Sequence, residues 1–148
     1  MKPFGSNITS TLAQADFVNV ASKAFDKGET LPQMLIAAFE RYGDRPAFTN
    51  LDCTVSFNDV NRLSADFSSY LRHGLGIQAG SRVAIMLPNL LQYPVALLGV
   101  LRADLIAVLV NPMYTARELK HQLKDSGATV LIVLDNFGAV AAESIEGT

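Results

Sequence analysis

Three continuous apolar runs dominate the second half of the chain: "RVAIML" from residue 82, "LIAVLV" from residue 105 and "TVLIVL" from residue 129. Each is too short to cross a bilayer and too uniformly apolar to be a strand with one wet face. Such runs are expected in parallel strands that are covered on both sides. The segments between them have helical periodicity, so the order from residue 81 onward reads β-α-β-α-β with short connections. Right-handed crossovers then give an α/β fold built on a partial doubly wound parallel sheet flanked by helices.

The two crossover helices differ in character. The first, at about residues 90–103, is apolar nearly all round and should be buried on both sides. The second lies in "NPMYTARELKHQLKDSGATVLIV", where Thr115 and Glu118 form a T-x-x-E capping box and Gly127 is the expected stop. The most hydrophobic stretch, residues 93–110, contains Pro94 and, centrally, Arg102 and Asp104. Charges at a bilayer centre cost about 2.5–3.5 kcal/mol each on insertion scales, so a buried helix and strand explain the stretch better than a membrane span.

Upstream, "TLPQMLIAAFERYGDRP" begins a helix with Thr30 as N-cap, Pro32 in the first turn and Gly43 as stop. "PAFTN" and "CTVSF" read as two short strands around a turn at Leu51-Asp52. A further helix covers "NDVNRLSADFSSYLRHG", with Val60, Leu63, Phe67, Tyr70 and Leu71 on one face and Gly74 as its stop. Residues 1–28 read as an N-terminal arm, and residues 29–148 as one α/β unit. At 148 residues the chain can bury a real core, and 49% hydrophobic against 18% charged residues argues against disorder.

Composition narrows function mainly by exclusion. A net charge of −2, with no Lys/Arg cluster, gives no pull toward nucleic acid. The lone cysteine, Cys53, excludes a disulfide framework within the chain and fits a reducing, cytoplasmic setting, with the thiol in a structural role. The N-terminus carries no secretory h-region. His73 and His121 are the only histidines, so a His-rich metal site is excluded; His73 suits the C-terminal turn of its helix and His121 the outer face of the next. Asp59 and the Glu118/Asp125 pair fall on exposed faces, with no reason for raised pKa values. Neither G-x-x-x-x-G-K-[ST] nor a strand-borne G-x-G-x-x-G occurs. Gly74 and Gly76 only link a helix to a strand.

In a sheet of this type, ligands bind beyond the carboxyl ends of the strands, where Asn89, Asn111, Tyr114, Thr115 and Asp135 are delivered. The backbone amides at the Thr115 helix start form a candidate anion site, though caps and turn formers account for the same residues. From the residues alone no catalytic or metal site emerges. The candidates are a small-ligand module of flavodoxin-like type and an interaction domain docking through the helix at 90–103.

"RVAIMLPNLLQYPVALLGVLRA" and "VNPMYTARELKHQLKDSGA" add a resemblance. With the flanking segments, over about residues 31–138, the chain resembles the N-terminal region of ATP-dependent acyl-CoA synthetases of the adenylate-forming superfamily, bacterial long-chain fatty acid–CoA ligases in particular. The resemblance implies that a fatty acid and ATP form an acyl-adenylate and pyrophosphate, and that coenzyme A then displaces AMP. It implies ATP, Mg2+ and coenzyme A as cofactors of the full-length enzyme, and the remainder of the polypeptide as partner. The family's Ser/Thr/Gly-rich ATP loop and its C-terminal lysine are not in these residues, so the chain is expected to be an N-terminal portion, structural and inactive alone. Only Asn89 and Tyr114 are candidates for lining a substrate site.

The resemblance further implies peripheral association with the inner face of the membrane, for which no residue feature here speaks. An incomplete sheet should expose apolar surface and self-associate, a homodimer being the simplest form. Two departures from the family pattern stand out. Ala103-Asp104 replaces the usual Ala-Gly before a strand, putting Asp where a left-handed residue is expected. Ala116 replaces a proline at the first helical position.

Overall fold

A computed structural model describes residues 30–146, so the arm expected over residues 1–28 lies outside the described residues. The chain opens with helix α1 (Leu31–Tyr42). Thr30 caps it through a reciprocal box with Gln33, Pro32 sits in the first turn, and Gly43 ends the helix at φ +49°. Strands β1 (Pro46–Asn50) and β2 (Cys53–Ser56) then form an antiparallel hairpin. Its two-residue turn has Leu51 and Asp52 both at positive φ, 46° and 62°. That geometry matches the right-handed twist of the strands, although Leu is an unusual residue to adopt it.

Helix α2 (Phe57–Ser69) starts at once, capped by Ser56 and Asp59 in a second reciprocal box. It does not stop at Gly74 as expected. The last turn widens into a π turn over Tyr70–Gly74, the Leu75 amide donates to the Tyr70 carbonyl, and the left-handed residue is Gly76 at φ +67°. Tyr70 departs from the buried face for the same reason. Its ring lies against Gly74, where an added Cβ would meet Cδ2 at 2.7 Å, and it is 54% exposed.

The parallel sheet follows: β3 (Arg82–Met86), α3 (Gln92–Arg102), β4 (Ile106–Leu109), α4 (Ala116–Ser126), β5 (Val130–Val133), then α5 (Gly138–Ile145) after a short 3-10 turn. The strand order is β4-β3-β5, with both pairs parallel, so β3 is central although it comes first in the chain. One face of β3, through Val83 and Ile85, packs on Leu71 of the π turn and on Ala96 and Val100 of α3. The other face, through Ala84 and Met86, packs on Leu119 of α4 and Ala141 of α5. Helices on both faces make the sheet doubly wound, as the apolar runs implied.

A third cluster joins Phe39 of α1, Val60 of α2 and Leu98 of α3, so α3 is buried on two sides as its pattern required. Gly99 permits this packing. A Cβ there would stand 2.6 Å from Phe67 Cδ1 and 3.2 Å from the Ser64 carbonyl, so α2 and α3 meet at van der Waals range only because the residue is glycine. Asp104 takes the left-handed conformation at φ +57°, and its carbonyl receives the Gly80 amide at 2.7 Å. Both faces of β4 meet a core, through Ala107 on one side and Val108 on the other, but as an edge strand it leaves Ile106 46% and Leu109 54% exposed. The tail at 136–146, which had no clear end in the sequence, forms α5, whose buried Ala141 packs in one cluster with Leu119 of α4. Among the described residues no helix is long and apolar enough to cross a membrane.

Candidate functional site

Three loops leave the carboxyl ends of the parallel strands. The exit of β3 runs to α3 on one face, whereas the exits of β4 and β5 run to α4 and α5 on the other, the divergence at which such sheets open a crevice. Asn89 lies on the first loop, and its carbonyl accepts from the Asn50 Nδ2 amide at 2.9 Å. That bond fastens the β1–β2 hairpin to the strand end. Asn89 and Asn50 border an apolar cleft of about 530 Å3 that also contacts Leu31, Phe48 and Tyr93.

On the second loop, the Asn111 side chain accepts from the Met113 amide at 3.0 Å, and its carbonyl accepts from the Tyr114 amide at 3.1 Å. This Asx-type turn delivers Tyr114 against the core face formed with α4. Tyr114 borders a separate cleft of about 720 Å3 along the outer side of α4, with Arg117, His121 and Gln122. The structure therefore keeps Asn89 and Tyr114 in different clefts. Asp135 is exposed at the 3-10 turn after β5.

The helix start at Thr115 is already served from within. Glu118 Oε2 accepts from the Thr115 backbone N–H at 2.8 Å and from its hydroxyl at 2.7 Å, while the Glu118 N–H donates to Thr115 Oγ1 at 3.4 Å. These bonds, the backbone one foremost, hold the Glu118 carboxyl below its ordinary pKa. The chain's own carboxylate thus takes the place offered to an external anion. Asp59 is likewise lowered, chiefly by the hydroxyl and amide of Ser56, with Arg62 adding a smaller effect. Both carboxylates are capping groups, as their exposed faces suggested.

Sequence reasoning missed an apolar cavity. It measures about 740 Å3 and opens between α2, α3 and the carboxyl ends of β3 and β5, with Phe67, Leu87, Leu91, Val95, Ile132 and Leu134 among its walls. Neither Asn89 nor Tyr114 reaches it. Its walls are apolar residues that periodicity assigns to the core, so no polar signal marked it. Asp66, Gln92 and Tyr70 are its polar-bearing members. It offers an apolar surface and no acid–base pair.

Nothing in the donor set suits a metal: among the described residues no three His, Cys, Asp or Glu side chains cluster. Cys53 is a free, exposed thiol on the hairpin. His121 is exposed on α4, and His73 is exposed in the π turn, as their positions implied.

Comparison with known proteins agrees with this geometry. Residues 35–147 match the family model described as AMP-binding enzyme. The long-chain-fatty-acid–CoA ligase of Salmonella typhimurium is 48% identical over 123 residues, covering 83% of this chain and 22% of the ligase. That of Yersinia pestis is 52% identical over 112 residues, covering 76% of this chain and 20% of its own. Among solved structures, a long-chain-fatty-acid-CoA ligase from Archaeoglobus fulgidus superposes with a TM-score of 0.72 at 26% identity, over 80% of this chain and 25% of the other. A benzoate CoA ligase from Burkholderia xenovorans shares the fold at a TM-score of 0.75 and 21% identity, over 79% of this chain and 24% of the other. The chain spans about a fifth of the length of the curated relatives it matches. Family model, relatives and fold agree: the chain belongs to the AMP-binding enzyme family.

Proposed function

We propose that this chain forms the N-terminal scaffold of a long-chain fatty acid–CoA ligase, an enzyme that uses ATP to join a fatty acid carboxylate to the thiol of coenzyme A. The observation that carries the reading is the 48% identity to a ligase of that name over 83% of the chain. The sequence carries neither glycine-rich nucleotide-phosphate motif, and the described residues hold no metal-ligating cluster. ATP, Mg2+ and coenzyme A would accordingly be held by parts of the relatives that this chain does not span. Its own contribution is to fix three strand-end loops, the Asn50–Asn89 clasp and the apolar cavity of about 740 Å3 in one frame. Asn89 and Tyr114 would line the substrate region from two loops, and the rest of the polypeptide would cover the cavity. The reading places the enzyme in the cytoplasm. The exposed Ile106 and Leu109 on β4 support self-association of the chain on its own.

A chimera tests the proposal. This chain replaces the matching N-terminal region of the Salmonella ligase, and palmitate- and coenzyme A-dependent AMP release is measured. Activity within about tenfold of the parent is the expected result, corresponding to a loss below about 1.4 kcal/mol. A folded but inert chimera would overturn the ligase reading. Fatty acid-dependent pyrophosphate exchange by the 148-residue chain alone would overturn the scaffold role.

A further inference from the structure

At the opposite end of the sheet from the strand-exit loops, Arg72, His73 and Arg102 converge on a cleft of about 370 Å3 between the C-terminal ends of α2 and α3. Ser68, Ser69 and Asp104 complete its walls. Both arginines are half-buried, yet neither has a carboxylate partner among the described residues. The ion pairs among the described residues are those of Arg62 with Asp59 and Asp66. Neutral acceptors hold the guanidiniums instead. Arg72 Nη1 donates to the Ile77 carbonyl at 2.8 Å. Arg102 Nη1 donates to the Asn61 carbonyl at 3.2 Å, to Asn61 Oδ1 at 2.6 Å and to Ser64 Oγ at 3.2 Å.

This arrangement has a physical consequence. Dipoles fix each guanidinium in place without neutralising it, and in both residues only Nη1 is used among the described residues. A partly desolvated, immobilised cation gains most from an oxyanion that accepts from its free nitrogens. The charged and titratable groups facing the cleft are Arg72, Arg102, His73 and Asp104, which leave it net positive even with His73 neutral. The two helix C-termini oppose an anion. Their partial charges, about half a unit each before surface screening, offset much of the one positive charge that Asp104 leaves, so an anion would be held by direct contact with the guanidinium nitrogens rather than by the net field of the cleft.

We propose that this cleft binds a phosphate-class oxyanion, gripped by Arg72 from the π turn and Arg102 from α3, with the Ser68 and Ser69 hydroxyls as further donors. It is independent of the ligase reading and distant from the strand-exit loops. The phosphate belongs either to a free phosphate or phosphomonoester or to an acidic lipid headgroup. The 51% exposed Leu75, next to the basic residues, makes the second source worth a separate arm.

The test follows backbone amide shifts of the full chain during titration with inorganic phosphate at constant ionic strength, with chloride as control. Saturable shifts over residues 68–73 and 103–104 are expected with phosphate alone. Arg72→Gln should weaken binding roughly tenfold. Arg102 also ties α2 to α3, so Arg102→Lys is the milder second variant: it keeps the charge and loses the fork, and should weaken binding with the circular dichroism unchanged. Absence of saturable shifts, or saturable shifts indifferent to both Arg72→Gln and Arg102→Lys, would overturn the proposal. Vesicles of phosphatidylcholine with and without phosphatidic acid separate the sources. Recruitment only to phosphatidic acid, lost in Arg72→Gln, supports the site with a lipid ligand. Phosphate binding without recruitment supports it with a free one.

Discussion

Strands β3 and β4 are almost the same in composition and pair in parallel, residue against residue, from Arg82–Ile106 to Ile85–Leu109. Their environments could hardly differ more. Val83, Ala84, Ile85 and Met86 are all fully buried, whereas Ile106 and Leu109 keep about half their surface in solvent. The difference is position. β3 has a hydrogen-bonded neighbour on each side and helices on both faces, whereas among the described residues β4 pairs on one side only. Apolar content sets how much surface a strand is able to bury, and strand order sets how much it does bury.

Substitutions turn this contrast into measurements. Ile85→Ala, at the centre, should lower unfolding free energy by about 2–5 kcal/mol in denaturant titration, because the space cannot refill from either face. A loss below 1 kcal/mol would break the contrast. Gly99→Ala comes next, at about 1–3 kcal/mol, since the new Cβ would press on Phe67 and the Ser64 carbonyl and prise α2 from α3. Thr115→Ala, just beyond the β4 edge, should cost about 1 kcal/mol at neutral pH through the lost cap.

That third variant also carries a pH signature. Glu118 has a depressed pKa, so its cap contributes stability above the ordinary carboxylate range and loses it as pH falls through the lowered value. Acid titration of stability should accordingly be shallower in Thr115→Ala than in the parent. Asp104→Gly should raise stability by about 0.5–1 kcal/mol, since glycine adopts the φ of +57° without strain. Leu109→Ser, at the edge, should change stability by less than about 0.5 kcal/mol. An effect there near that of Ile85→Ala would mean that β4 is covered in solution, and sedimentation at several concentrations would show by what.

The elements were legible in the sequence because each carries its own local code. Thr115 and Glu118 announce a helix start, Gly43 and Gly127 are stops, and the apolar runs at 82, 105 and 129 are strands. The Asp104 conformation was equally readable, since the strand entry demands a left-handed residue whatever occupies it. Relations between elements were not readable. Nothing in "RVAIML" distinguishes a central strand from an edge, because the order β4-β3-β5 depends on which way each crossover turns. The π turn at Tyr70–Gly74 escaped notice because Gly74 offers a plausible stop two residues before Gly76, where the chain uses one. The site was less legible still. Polar residues at strand ends drew attention to Asn89 and Tyr114, while the cavity between α2 and α3 is walled by apolar residues such as Phe67 and Ile132 that resemble any other core positions.

The central place of β3 also has a consequence in time. It precedes both of its partners in the chain, and Val83 must wait for Val130 before its second edge is closed. During synthesis β3 can meet β4 through a single crossover, but one side of its backbone stays open until β5 has been made. The most protected strand of the finished molecule is thus among the last to be secured. Pairing across so long a loop is slow and leaves an aggregation-prone edge in the interval. Pulse-labelled hydrogen exchange should find the Val60 and Leu98 amides of the α2–α3 pair protected before those of Ala84 and Met86.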